Sequence, residues 1–293
     1  MAIQTATTGN LEDAQNIILA KARYTAEHNA PTIQLFEKFT LPQGAKQVTV
    51  PKVGQATFEN LIDGVDMTES ADIGMTTTDL TTGEVGCKFI LTDKMVRQQN
   101  DSAFEMVGRQ LGDGLARKKD RDGIALFSGL NGGTALGEDN KDMEIINLAA
   151  CIAYARSQKY PDPVNIVHHP NAVYMCMSSM AVVPETAGDP LPGGDADRSK
   201  LLKNFYKMRF DNVGVFQTGN IDVISGYASG YGAIFSMSAL AYLESVGFNR
   251  EDERDASLRA TEVVVTADYG VFELDDGYGA PMQYEIGTIA TNN

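Results

Sequence analysis

The chain is poor in the residues that carry metal and redox chemistry, and it has no long apolar run. Among its 293 residues there are three histidines and three cysteines, Cys87, Cys151 and Cys176. The cysteines are odd in number, widely spaced and set among apolar neighbours, so they predict buried free thiols and neither a disulfide framework nor a metal site. Stretches such as 145–154 and 232–243 are far shorter than the roughly 20 apolar residues of a membrane-spanning helix.

Basic residues are also scarce relative to acidic ones. The formal charge is −15, from 39 acidic against 24 basic residues, which argues against a protein that binds nucleic acid by neutralising phosphates. Apolar residues make up 43% and charged residues 22% of the chain, as in ordinary folded domains. The first ten residues, MAIQTATTGN, have neither the basic nor the apolar region of a secretory signal. We therefore expect a folded protein that is made in a cytoplasm and does not enter a membrane.

An amphipathic helix is predicted near the start of the chain. Residues 11–28 read LEDAQNIILAKARYTAEH and place apolar side chains at helical spacing, namely at Leu11, Ala14, Ile17, Ile18 and Ala22. This apolar face is modest, and the segment has little of its own to pack against. From Lys46 onward the pattern changes to period two, which predicts a strand.

The segment from Val53 to Cys87 contains no Lys or Arg. Its seven acids are Glu59, Asp63, Asp66, Glu69, Asp72, Asp79 and Glu84. Threonines between 76 and 82 favour extended structure, and alternating residues over 85–91 predict that the chain returns as a second strand. A two-stranded ribbon with so few large apolar residues is marginally stable alone. It is expected to rest on another surface, and a neighbouring subunit is one candidate.

A long helix, an α/β unit and closing strands follow. Ser102 and Glu105 have the spacing of a capping box, and the apolar periodicity then predicts a helix to about Phe127. A second helix is predicted over 142–159 with one inward face, formed by Ile145, Ile146, Ala149, Ile152 and Ala153. A buried strand and another helix are predicted next, at 164–167 and 171–180. Closing strands are predicted at 257–265, 269–274 and 282–286, with turns at 268–270 and 275–277.

No coherent catalytic set is present. The adjacent His168 and His169 are interpreted as a structural turn, since neighbouring side chains of a strand point to opposite faces; a catalytic base and a metal ligand are the alternatives. Ser229 in GYASG lies one position too late for a nucleophile elbow. We predict no catalytic residue, no cofactor and no metal site. Carboxylate pairs are interpreted as solvent-facing, namely Asp120/Asp122 and Asp275/Asp276.

The order and spacing of these parts resemble the tailed-bacteriophage major capsid protein family, often called the Hong Kong 97 type. The segment NIVHHPNAVYMCM is similar to its axial domain, and LRATEVVVTADYGVFELDDGYGAPM to the strands that close its peripheral domain. The resemblance implies an α+β fold with an N-terminal arm, an extended β-ribbon loop, a peripheral domain that contains a long spine helix, and a central α/β axial domain. The corresponding ranges are 1–45, 46–92, 93–147 with 241–293, and 148–240.

The resemblance implies a non-enzymatic subunit that forms the pentamers and hexamers of an icosahedral shell around double-stranded DNA, without sequence-specific DNA binding. The expected location is the virion capsid, assembled in a host cytoplasm. Only about ten residues precede the first predicted helix, so a separate scaffolding protein is expected beside a portal, and a decoration protein is a further candidate partner. Some family members link subunits through a lysine of the extended loop. No lysine lies between Lys52 and Lys88, so we predict no covalent crosslinking here.

Opposite charges suggest where copies of the chain meet. One basic cluster lies on the long helix, at Arg117, Lys118, Lys119 and Arg121, and a second comprises Arg198, Lys200, Lys203, Lys207 and Arg209. Each is either a solvated face or a surface that meets the acidic loop of an adjacent copy, because opposite charges across an interface set its register. The acidic partners are predicted to be Glu59, Asp63, Asp66 and Glu69.

Three other classes of protein stay open. A cellular nanocompartment shell of the same fold is the first. A soluble hydrolase is the second, although the chain has no nucleophile, base and orienting group that form a set. A secreted adhesin or fibre protein is the third, and the absence of a secretory signal counts against it.

Overall fold

The computed structural model describes residues 31–53, 60, 74–94, 101–181, 208–210 and 212–287. The predicted helix at 11–28 lies outside these residues. The strands are β1 (Glu37–Thr40), β2 (Val48–Val53), β3 (Met75–Leu80), β4 (Gly83–Thr92), β5 (Leu136–Gly137), β6 (Val164–His168), β7 (Met208–Phe210), β8 (Val213–Gln217), β9 (Ser229–Ser236), β10 (Leu240–Asp255), β11 (Ala260–Glu273) and β12 (Gly279–Glu285). The α-helices are α1 (Asp101–Ala125), α2 (Ile145–Ser157) and α3 (Pro170–Ala181). Short 3₁₀ helices occur at Thr32–Leu35, Phe127–Gly133, Met237–Ala239 and Asp276–Tyr278.

A six-stranded mixed sheet forms the larger core, in the order β5-β12-β9-β6-β8-β7. All five residues of β6 are buried, as expected for an apolar strand in the interior of a sheet. Strand β6 pairs in parallel with β8 and antiparallel with β9. Helices α2 and α3 share this core through Leu148, Cys151 and Cys176. The predicted order of helix, buried strand and helix is therefore confirmed.

The predicted inward face of α2 is partly wrong. Ile146 is 72% exposed, and Ala149 and Ala153 are exposed as well. Leu148 and Cys151 are buried instead. Because α2 carries apolar residues on nearly every side, their spacing marks no single face.

A four-stranded sheet in the order β1-β10-β11-β4 lies against the long helix α1. The helix predicted over 102–127 is confirmed as Asp101–Ala125. The chain before β1 packs against it near Gly123, where an added Cβ would lie 3.0 Å from the ring of Phe36. Phe36 in turn meets Phe235 edge-on, with ring centroids 5.7 Å apart. The glycine thus allows the 3₁₀ helix Thr32–Leu35 to approach α1 closely.

The turn predicted at 268–270 is wrong, because β11 continues through these residues. A Cβ at Gly270 would lie 2.4 Å from the carbonyl oxygen of Thr81, so the glycine serves a close backbone approach inside a strand and not a turn. The turn predicted at 275–277 is confirmed. There the Asp275 carboxylate accepts a hydrogen bond from the Gly277 amide at 3.1 Å.

The ribbon consists of β2 and β3, which pair antiparallel from Val48 opposite Leu80 to Val53 opposite Met75. Its base is anchored, since Leu80 is fully buried in a cluster that includes Leu243. Its outer end is not covered by the described residues, and Val53 and Met75 are 57% and 66% exposed. The strand predicted from Lys46 onward is confirmed as β2, and the threonines that favour extended structure lie in and next to β3.

The alternating residues over 85–91 form β4, but β4 pairs with β11 and does not extend the ribbon. The prediction of its partner was wrong because period two identifies a strand without identifying its neighbour. Strand β4 is also the edge of its sheet, and Cys87 on it is exposed. The predicted burial of the thiols is confirmed for Cys151 and Cys176 and wrong for Cys87. In the part of the chain that the structure describes, no helix is long and apolar enough to cross a membrane.

Candidate functional site

The two histidines lie where β6 ends and α3 begins, and both take structural roles. His168 is fully buried, and its Nε2 lies 3.3 Å from the carbonyl oxygen of Met282. Burial lowers the pKa of His168 to about 4, so the ring is neutral at pH 7. The Nδ1 atom of His169 accepts a hydrogen bond from the Asn171 amide at 3.2 Å, at the first turn of α3. These contacts support the interpretation as a turn.

Ser229 is buried in a network without a histidine. Its hydroxyl donates to Asp139 Oδ1 at 2.6 Å and accepts from Gln283 Nε2 at 3.0 Å. The hydrogen bonds that the structure describes for His168 and His169 go elsewhere, so neither of these two histidines is placed as a general base for Ser229. Among the described residues no group of three or more His, Cys, Asp or Glu side chains is placed to hold a metal ion.

The basic cluster on α1 is largely engaged within the chain. Lys118 pairs with Asp122 at 2.5 Å, and Arg121 pairs with Asp222 at 3.1 Å. Arg117 is exposed. The described part of the chain thus provides partners for three of these four cations, Lys119 included, and the exposed Arg117 is the remaining candidate for a contact between copies.

Lys119 differs from its neighbours because its side chain is only 12% exposed. Its ammonium lies 3.2 Å from Glu244 Oε1 and within 5.5 Å and 5.3 Å of the ring centres of Tyr242 and Tyr269. Burial, reinforced by nearby carboxylates, raises the pKa of both tyrosines, so both rings stay neutral. The lysine therefore fastens α1 to β10 and β11.

The predicted acidic partners, Glu59, Asp63, Asp66 and Glu69, lie outside the described residues. The side chains of the second basic cluster, Arg198, Lys200, Lys203, Lys207 and Arg209, lie outside them too. A contact between either cluster and the acidic loop of another copy stays a prediction. What the structure does show at the ribbon is an ion pair between Lys52 and Asp275 at 2.7 Å, which ties the ribbon to the turn after β11.

Asp120, interpreted from the sequence as solvent-facing, is fully buried in α1. Its Oδ1 accepts from the Thr32 amide at 3.1 Å. Its Oδ2 accepts from Thr218 Oγ1 at 2.7 Å and from Asn220 Nδ2 at 2.8 Å. One carboxylate thus joins the start of the described chain, α1 and the loop after β8. The three cations around it in sequence disguised it, and helical spacing gave no signal because Asp120 lies on the side of α1 opposite Leu111.

Comparison with known proteins shows similarity at the level of structure alone. No family model matches the chain, and no curated protein matches it. The "Capsid of native GTA particle" is 12% identical, with a TM-score of 0.65, over 88% of this chain and 90% of that chain. The capsid of Ralstonia phage GP4 is 12% identical, with a TM-score of 0.63, over 88% and 89%.

A third similar structure is the SrpI encapsulin of Synechococcus elongatus PCC 7942, 12% identical with a TM-score of 0.60 over 91% and 92% of the two chains. At these identities the likeness establishes the fold and not the role. The ribbon, the long helix and the two larger sheets described above thus belong to the Hong Kong 97-type fold of tailed-bacteriophage major capsid proteins.

Proposed function

We propose that this chain is a non-enzymatic structural subunit that assembles with copies of itself into a closed shell of pentamers and hexamers. The observation that carries the proposal is the fold, which is shared over 88% of this chain with structures described as phage or particle capsids. His168 and Ser229 support it further, because both are buried and hydrogen-bonded within the interior of the fold.

The ribbon supplies the second support. Val53 and Met75 face each other across the ribbon and expose 57% and 66% of their surface. Exposed apolar pairs on a narrow two-stranded ribbon are expected to be covered by a partner. In a shell of identical copies that partner is the neighbouring subunit, and the acidic residues of the loop beyond Val53 set the register against a basic surface such as Arg117.

We infer that the shell encloses double-stranded DNA without binding a sequence. A charge of −15 disfavours strong adhesion of the wall to phosphates. The further partners we propose are a separate scaffolding protein, a portal and a candidate decoration protein. The proposed location is the virion capsid, with assembly in the cytoplasm of a host.

A nanocompartment shell is the second candidate, and the likeness to an encapsulin over 91% of this chain favours it. The contents of purified particles discriminate between the two. Genome-length, nuclease-protected DNA supports the viral role, whereas particles filled with a co-purifying protein and free of DNA support the nanocompartment.

We also propose that the shell is held without lysine crosslinks. The loop has no lysine from Val53 to Cys87, and the ammonium of Lys52 is engaged by Asp275 at 2.7 Å. Assembled shells dissolved in hot detergent should therefore run as a single monomer band on a denaturing gel. A ladder of covalent oligomers would contradict this proposal.

Sedimentation of the purified chain, alone and with candidate scaffolding proteins, tests the proposed function. We expect particles of megadalton mass, and Val53→Asp should raise the protein concentration needed for assembly about tenfold or more, because one buried apolar side chain contributes about 1.5–3 kcal/mol. Thr76→Asp is the matched control, since it adds the same charge on the opposite face of the ribbon. A compact monomer under every condition, or equal effects of the two variants, would overturn the proposal.

A further inference from the structure

An apolar groove runs along one flank of α1, between the helix and the β4–β11 edge of the four-stranded sheet. It has a volume of about 290 Å³. Apolar side chains from both sides line it, among them Val85, Phe89, Leu111, Leu115 and Val265. Lys118 and the exposed thiol of Cys87 also line it. A groove of this shape accepts the side chains of a helix laid along it and not a whole helix.

Gly114 keeps the groove open. It lines the groove, and a Cβ added there would meet no atom within 4 Å. Glycine weakens a helix relative to alanine, and within the described residues no close contact requires this one. The space beside it is therefore available to a segment outside the described residues.

Residues 11–28 match the groove. Their predicted apolar face repeats at the spacing by which amphipathic helices anchor in grooves, and the segment has no partner of its own. The apolar residues that anchor it are Leu11, Ala14, Ile17, Ile18 and Ala22. Lys21, four residues after Ile17, lies on the same side of the predicted helix, where its aliphatic stem can pack while its ammonium stays in solvent.

The chain is long enough to bring this segment to its own groove. The Thr32 amide donates a hydrogen bond to Asp120. Asp120 lies on the side of α1 opposite Leu111, because the nine residues between these positions make two and a half helical turns. Gly114 lies about 9 Å from Asp120 along the axis and about 120° away around a helix about 10 Å wide. Ten helical residues and three extended ones span about 25 Å from Ile18 to Pro31, which exceeds that separation.

We propose that the apolar face of residues 11–28 docks in the groove of the same chain and covers α1 and the Cys87 thiol. The segment would thus complete the hydrophobic core on the flank of α1 that the sheet leaves open. The proposal concerns the unassembled subunit, so it stands or falls independently of shell formation.

Disulfide mapping tests the contact with a native probe, because Cys87 is exposed while Cys151 and Cys176 are buried. In full-length unassembled chain, Ile18→Cys should form an intrachain disulfide with Cys87 at least about tenfold faster than Asn16→Cys. The control residue lies about 200° away around the helix, and a disulfide requires the two Cα atoms to come within about 7 Å. Adding Gly114→Leu should abolish the link by filling the groove, whereas Gly114→Ala should keep it.

A second measurement avoids new cysteines. Ile18→Asp in the otherwise unchanged chain should raise the alkylation rate of Cys87 about tenfold, because a docked segment protects the thiol in proportion to its docked population. Asn16→Asp should leave the rate unchanged. Equal alkylation rates for the two variants would overturn the proposal. Disulfides that join two chains into dimers in the mapping experiment would also overturn it, and they would assign the groove to a second copy.

Discussion

Replacing Asp120 should destabilise the subunit more than any other change of a charged residue on α1. The carboxylate is fully buried and accepts three hydrogen bonds, at 3.1, 2.7 and 2.8 Å. Asp120→Ala removes the acceptor from all three donors at once. The Thr32 amide and the Thr218 hydroxyl then stay buried without this partner, whereas the half-buried Asn220 amide can turn toward solvent.

The magnitude follows from the donors left behind. A buried donor that loses its partner costs about 1–3 kcal/mol, so two such donors cost about 3–4 kcal/mol after the carboxylate's own desolvation is recovered. This is a large share of the total stability of a folded domain, which is about 5–15 kcal/mol. Asp120→Asn has nearly the same size, but its amide nitrogen meets a donor on one side or the other. It should therefore show a loss in the same direction.

Urea denaturation of the unassembled subunit measures this loss. With a denaturant slope of about 3 kcal/mol per molar, the midpoint for Asp120→Ala should fall by about 1 M. Arg117→Ala, exposed on the same helix, is the control and should leave the midpoint unchanged. The reasoning is refuted if Asp120→Ala and Asp120→Asn denature at the same urea concentration as the control.

Three further predictions follow from named contacts. His168 has a pKa of about 4 in the folded chain against 6.5 ordinarily, so its ring takes up a proton on unfolding at any pH between these values. The free energy of unfolding should therefore fall as the pH drops from 6.5 toward 4, by about 1.4 kcal/mol per pH unit. His168→Gln should flatten this slope in denaturation measured at several pH values. At Gly232 a Cβ would lie 2.5 Å from a backbone oxygen, so Gly232→Ala should cost about 3 kcal/mol in thermal unfolding, whereas Gly219→Ala, with open space, should be neutral. Arg117→Glu should slow assembly and weaken the salt dependence of the assembly rate without changing the stability of the subunit. Light scattering at several salt concentrations measures this rate. Identical rates for the variant and the native chain would show that the α1 cluster is merely solvated.

The spacing of apolar residues along the chain was sufficient to predict individual strands and helices. Period two located β2 and β4, threonine enrichment indicated β3, and helical spacing located α1, because each signal is carried by consecutive residues. The buried run of β6 between two helices likewise predicted the α/β unit. The order of these elements then indicated the Hong Kong 97-type fold without any single diagnostic motif.

Contacts between distant residues could not be predicted in this way. The pairing of β4 with β11 joins residues 168 to 186 positions apart, from Thr92 with Ala260 to Gly83 with Tyr269. Nothing in the alternation of β4 distinguishes that partner from the ribbon. Asp120 looked like surface because Lys119 and Arg121 flank it, yet its acceptors are used by Thr32 and Thr218. The proposed surface between copies would depend on a second chain, so a single sequence can suggest its charges but not its geometry.

Electron cryomicroscopy of purified particles tests the central claim most directly. The account predicts closed icosahedral shells built of pentamers and hexamers of this chain, in which the Val53–Met75 end of each ribbon packs on a neighbouring copy. A chain that yields no closed particle, alone or with candidate scaffolding proteins, or a shell in which this end of the ribbon touches no neighbour, would contradict it.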